Sequence, residues 1–397
     1  MSCARCAADA ADERRVVAVA VKLLVSIAVL LVAGGVADVA RSGHEFPVYP
    51  SYYPHEVRIE TVGADRAPAL LAASKIQAYM GALDFGATRS TSVSAVESLG
   101  SLIVVRVNPQ SEVAGDPVRS CSLIGAVVRE AATHADSFRF HPYPVTPYDG
   151  DYLYYADQAD AFRLRYDNPG TTSAAAPAQH PRVRAATALV RALVPGSWLA
   201  KDAAWDVEID EVGTAALAGA ATRSLNGWIT PPWAQAGWYR ALLLLGPAVD
   251  DADRMSVVRA AADRLESGAY ATPAERVELE RNLVATLVGN CRAAVAGYSV
   301  RRQYVSTEYT TGIENIGFDS VAGLSSPIFI RTAKLKDFPW NGWLAIGVDS
   351  APTAAWNPVA GFTDSFGGLM WSAIGDPAML PWASGGGWIL NRISDVR

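Results

Sequence analysis

The chain has 397 residues, half of them hydrophobic and 19% charged, which excludes a disordered polymer and exceeds what one hydrophobic core usually organises. Its formal charge of −6 comes with scattered arginines and no basic stripe, so a nucleic-acid partner is not expected. No nucleotide-binding loop, nucleophile elbow, haem attachment or complete metal-ligand set is present, and no cofactor is expected.

Near the start, Val16 to Ala37 is an apolar run interrupted only by Lys22. As a helix rising about 1.5 Å per residue it matches the ~30 Å hydrocarbon layer of a bilayer. Arg5, Arg14 and Arg15 precede it and only Arg41 follows closely, so the positive-inside rule puts residues 1–15 in the cytoplasm and the rest outside. The expectation is a single-pass inner-membrane protein with an uncleaved anchor, because the run is longer than the apolar core of a signal peptide. In that compartment Cys121 and Cys291 are free to form a disulfide. Cys291 also falls on the apolar stripe of a predicted helix, where a free thiol would pack equally well. Cys3 and Cys6 form a CxxC with no further ligand nearby.

Residues 44–167 mix two periods. HEVRIETV and SLIVVRVN read as strands, APALLAASKIQAYMG and SLIGAVVREAATHA as helices, giving an α/β unit. This order resembles half of a periplasmic solute-binding lobe; the resemblance is to an architecture and assigns no residue a role. The same unit holds ten of the fifteen tyrosines, and Arg139 to Phe162 is an irregular, aromatic stretch of the kind that often carries function. His134, Asp136 and His141, and His55 with Glu56, lie close in sequence without the spacing of a metal site.

Asn168 to Pro181, rich in Pro, Ala, Ser and Thr, reads as a linker or exposed loop over 168–180. Residues 181–297 read as a helical bundle of three antiparallel helices, the last introduced by a capping box at Thr272 and Glu275 with Pro273 at the first helical position.

From residue 298 the pattern turns to strands and turns, and this half contains no histidine. In DFPWNGWLAIGV, Asn341-Gly342 is a strong hairpin signal that would set Trp340 across from Trp343, with Phe338 on the same face. Gly367-Gly368 would likewise close a hairpin carrying Phe362, Phe366 and Trp371, and the segment Trp-x-Ala-Ile-Gly recurs at Trp343 and Trp371. Those aromatics either fill a core or stay open as a binding platform, and exposure alone separates the two.

The fold expectation is therefore α+β in several units: an N-terminal transmembrane helix, an α/β unit, a helical bundle and a Trp-rich antiparallel β meander over 298–397. The functional expectation is a non-catalytic binding or accessory subunit of a membrane complex, with the bilayer and a protein as partners and the aromatic face as contact. Two alternatives stand beside it. One is a glycan-acting hydrolase using carboxylate pairs such as Glu308 with Glu314 or Asp349 with Asp364, and the other is a tethered solute-binding protein.

Overall fold

The computed structural model describes residues 56–83, 90–134, 138–167, 180–214, 232–336, 342–351 and 365–374, with 54, 85, 216–217, 379–381 and 388–390. The predicted span Val16 to Ala37, the linker 168–179 and residues Phe338, Trp340 and Phe362 lie outside them. Among the described residues no helix is long and apolar enough to cross a membrane.

The organising element is a pair of long strands, β3 (Val93–Val107) and β7 (Ala293–Ser306), antiparallel along nearly their whole length. Around this ribbon an eight-stranded sheet runs in the order β1 (Glu56–Thr61), β10 (Trp343–Val348), β2 (Ala78–Tyr79), β7, β3, β6 (Val207–Gly213), β5 (Val183–Ala185). The eighth strand, β4 (Arg139–Phe140), pairs with β7 beside β2. Pairing is mixed: β1 with β10, β10 with β2, and β5 with β6 are parallel, while the central pairs are antiparallel.

This topology overturns the expectation of three successive units. One sheet draws β1 to β4 from the first predicted unit, β5 and β6 from the second and β10 from the third. Local periodicity reports which residues are strands; which strands pair is a long-range matter that it does not encode.

The helices follow their sequence signals more closely. α1 (Ala67–Ala72) is shorter than expected, ending before β2. α2 (Pro117–Ala132) starts where Asp116 Oδ1 accepts from the backbone N–H groups of Val118 and Arg119. α3 (Ala156–Asp167) and the short α4 (Ala188–Arg191) follow. α5 (Gly237–Leu245), α6 (Ala252–Ser267) and α7 (Pro273–Val288) are the three helices read between 181 and 297. At α7, Thr272 Oγ1 accepts from Glu275 N at 3.1 Å, while the Glu275 carboxylate reaches back to Ala271 N at 2.7 Å.

The β meander is corrected outright. Leu335 belongs to β9 (Lys334–Leu335), which pairs with β8 (Ile313–Asn315), whereas Trp343 opens β10, which pairs with β1 and β2. The described arms flanking Asn341-Gly342 thus belong to different sheets. Gly367-Gly368 lies inside α9 (Ser365–Ile374), after α8 (Pro327–Thr332), so the repeated Trp-x-Ala-Ile-Gly is strand in one copy and helix in the other. Residues around it decide: beside β1 and β2 the first copy completes a sheet, and no neighbouring strand pairs with the second. A two-strand sheet, β11 (Met379–Pro381) with β12 (Trp388–Leu390), lies near the C-terminal end.

Buried apolar residues separate into two bodies. In the first, the C-terminal half of β3 and N-terminal half of β7 carry Leu102, Val104 and Val295 against α5, α6 and α7, and on the other face Ile103, Val105 and Ala296 against α2. In the second, Val96 and Val305 pack with β2, β10, α8 and Leu369, while Val93 and Tyr304 pack with Tyr79 and α1. The two bodies share the β3–β7 ribbon, whose register slips between Leu99 and Ser101. Gly100 is required there: a Cβ would come within 2.8 Å of Ser299 Oγ and 3.1 Å of Arg301 N.

Candidate functional site

Where the bodies meet, side chains change from apolar to polar. On the ribbon, the hydroxyls of Ser101 and Ser299 are 2.6 Å apart, and Ser101 also donates to Glu211 at 2.9 Å. Two residues further along β7, Arg301 donates from Nε to Ser98 Oγ (3.2 Å) and from Nη2 to the Val321 carbonyl (2.9 Å). Pairing with β6 stops at Ser101, and beyond it Leu99 N donates to the Ser320 carbonyl at 2.8 Å.

That carbonyl belongs to a tight turn, 319–323, of the second body. Asp319 Oδ1 accepts from the N–H groups of Val321 and Ala322, both at 2.7 Å, and Gly323 closes the turn at φ 64°. Gly323 is fixed twice over, since a Cβ there would collide with Gln303 Oε1. Gln303 in turn accepts from Leu324 N at 2.8 Å. From this turn Ser320 Oγ donates across the seam to the Tyr148 carbonyl at 2.5 Å.

The first body answers with charge. Arg240 on α5 and Asp149 on the 141–155 segment form an ion pair, with side chains 5% and 2% exposed. Asp149 Oδ2 also accepts from Thr146 N (2.7 Å) and Thr146 Oγ1 (3.0 Å). Arg240 Nε is buried and has no hydrogen-bond partner among the described residues. Such an orphaned donor costs on the order of 1–3 kcal/mol. Across the seam, Asp319 lies within electrostatic reach of both Arg240 and Asp149, and burial raises its pKa.

Two more carboxyls complete the cluster. Asp151 is half-buried, and burial together with the nearby Asp149 charge pushes its pKa up to about 6. Glu280 on α7 is buried, and desolvation pushes it up to about 7 although Arg276 Nη1 donates to it at 2.8 Å. Tyr155 donates to its other oxygen at 3.4 Å, and burial raises that phenol. His141 Nε2 donates to the Val145 carbonyl at 2.8 Å, and burial lowers its pKa. Tyr148 and Tyr298 meet edge to face at 5.8 Å.

Of the aromatic residues singled out in the sequence, Trp343, Phe366 and Trp371 are described. Trp343 is 70% exposed at the start of β10. Phe366 is half-buried on α9 against the second body's core, and Trp371 lies on the same helix. Cys121 on α2 and Cys291 beside β7 are joined, with Cα atoms 4.7 Å apart across 170 residues of sequence. Of the carboxylates named in pairs, Glu308 accepts from Thr310 and Thr311, Glu314 pairs with Lys334 at 2.7 Å, and Asp364 lies outside the described residues. His134 sits 3.8 Å from Glu130, while His55 and Asp136 lie outside the described residues. Among the described residues no group of three or more His, Cys, Asp or Glu could hold a metal ion.

Sequence reasoning flagged the 139–162 stretch but missed Arg240, Glu280 and Asp319. Two of these left a signal. Arg240 is the lone charge in the apolar run Trp238 to Leu245, and Glu280 lies on the stripe of Leu283, Val284 and Leu287, where a charge must be paired.

No protein-family model matches the sequence, and no curated protein matches it. The solved structures to which the chain is similar over part of its length include periplasmic and transporter-associated binding proteins. The ABC transporter-associated periplasmic binding protein DppA from Helicobacter pylori in complex with peptide STSA has a TM-score of 0.42 at 9% identity, over 69% of this chain and 55% of that one. The oligopeptide-binding protein AppA from Bacillus subtilis in complex with a nonapeptide has a TM-score of 0.38 at 10% identity, over 69% and 58%. The binding protein AgaA from A. tumefacien R10 in complex with agropinic acid has a TM-score of 0.38 at 11% identity, over 69% and 59%. The match to each thus spans little more than half of its length.

Proposed function

We propose that this protein is a non-catalytic solute-binding protein working outside the cytoplasm, and that it takes its solute in the seam between the two bodies. The observation that carries this reading is the division of the core. Among the described residues the four larger apolar clusters fall within one body or the other, and the bodies are joined by a two-strand ribbon and faced with polar groups. A seam built that way can open without exposing apolar core, because what it exposes is serine, tyrosine, arginine and carboxylate. Rotation concentrates at the register slip beside Gly100, where few groups need to change partners. The similar structures include complexes with peptides and with agropinic acid. The Cys121–Cys291 disulfide supports an oxidising compartment.

The test places fluorescent non-natural residues at Val257 on α6 and Trp343 on β10, one in each body and both exposed. A library of amino acids, peptides, sugars, carboxylates and polyamines is then screened for transfer efficiency and melting temperature. Saturable, solute-specific closure together with a rise in melting temperature is expected. If no class of solute changes either quantity, the reading fails.

A further inference from the structure

The carboxyls of the seam are not all paired. Asp149 and Asp151 on the 141–155 segment, Glu280 on α7 and Asp319 on the 319–323 turn are four carboxyls. Facing them are Arg240 on α5, Arg276 on α7 and, on the ribbon beside Asp319, Arg301, whose hydrogen bonds go to Ser98 and the Val321 carbonyl. Asp149 is paired with Arg240 and Glu280 with Arg276, Asp319 accepts from two backbone N–H groups, and among the described residues Asp151 has no ion-pair partner. Asp151 is the accessible one, half-buried where Asp149 and Glu280 are buried. Arg240 itself asks for the opposite partner: its Nε is buried and lacks an acceptor among the described residues.

Resting on the binding reading above, we propose that the solute is a small molecule carrying a protonated amine and an oxygen acceptor. The amine lies beside Asp151, with Asp149 and Asp319 contributing to the negative potential, and the acceptor takes the hydrogen bond of Arg240 Nε. A cation supplies the missing counter-charge, and a hydroxyl or carbonyl oxygen satisfies the orphaned donor without adding another negative charge. A free carboxylate or phosphate would reach Arg240 only at the cost of lying among four acids. An apolar solute would leave both demands unmet.

The probes are ethanolamine and alaninamide, each with an amine and an oxygen acceptor, against putrescine, glucose and succinate, titrated into the full chain at pH 7.5 by calorimetry and melting temperature. Ethanolamine or alaninamide should bind more tightly than putrescine, which has no acceptor, and glucose and succinate should bind least. Affinity should fall as pH drops below about 6, where Asp151 takes up a proton and its charge is lost. Asp151→Asn, a half-buried and conservative change, should weaken the amine probes about tenfold or more without lowering the melting temperature of the free protein. Asp151→Glu should restore most of the binding. The proposal is overturned if neither ethanolamine nor alaninamide binds, or if Asp151→Asn binds them as tightly as the parent protein. Should glucose or succinate alone bind and close the bodies, the chemical class is wrong while the binding reading stands. A failure of every solute in the wider library removes both.

Discussion

Replacing Asp149 by Asn keeps the shape of the side chain and an oxygen for the Thr146 donors, but removes the charge that faces Arg240. Both partners are almost wholly buried, 2% and 5% exposed, so solvent cannot take over the role of the lost carboxylate. Breaking a pair of this kind by removing one partner costs about 3–5 kcal/mol, because the guanidinium stays buried without its counter-ion. Against a total stability of about 5–15 kcal/mol, that is a large share. Making Asp149→Asn in an Arg240→Met background removes the stranded charge as well, and the methionine stem occupies much the same apolar space. The double variant should therefore be more stable than Asp149→Asn alone, by about 2 kcal/mol or more, with a clear coupling energy in the double-mutant cycle. Urea unfolding followed by tryptophan fluorescence and far-ultraviolet circular dichroism gives the four stabilities. Additive single effects, or a loss below about 1 kcal/mol for Asp149→Asn, would show that the pair is not desolvated in solution and that the seam is wetter than its burial indicates.

The raised carboxyls give stability a pH slope of definite sign. Glu280 at about 7 and Asp151 at about 6 bind protons in the folded chain that an unfolded chain, with carboxyls near about 4.3, has released, so their contribution falls as pH rises from about 4.5 to 7. Glu280→Gln should flatten that slope in urea unfolding measured across the range, and an unchanged slope would place the proton elsewhere. Cutting the disulfide with Cys121→Ser releases a loop of 170 residues, for which chain entropy gives at most about 5 kcal/mol. Reductant should lower the urea midpoint of the parent protein toward that of the variant, and equal midpoints with and without reductant would deny the bond. Gly100→Val puts a branched side chain against Ser299 and Arg301 at the register slip. It should cost about 1–3 kcal/mol by overpacking and also shift the Val257–Trp343 transfer signal. A stability loss with no change in that signal would argue against a hinge at this point.

Much of the chain's local structure was legible in its sequence. Asp116 and Thr272 announce the starts of α2 and α7, and the β-branched run of SLIVVRVN announces the core of β3, because caps and side-chain alternation act over a few residues. The site was legible only in fragments: the aromatic, proline-broken 139–162 stretch stands out for its tyrosines and holds Asp149 and Asp151, and Arg240 and Glu280 are charges on apolar faces.

Tertiary structure alone decided three things. It set Trp343 beside Glu56, 287 positions away in sequence, so that a segment reading as one arm of a hairpin became a parallel strand. It put the second Trp-x-Ala-Ile-Gly into a helix, the same residues serving a different geometry. It also brought Asp319 to Arg240 and Asp149, from a turn whose sequence marks nothing. The reason is common to all three: periodicity and capping are short-range forces written into neighbouring residues, whereas strand partners and charge clusters are selected by the joint burial of segments hundreds of residues apart.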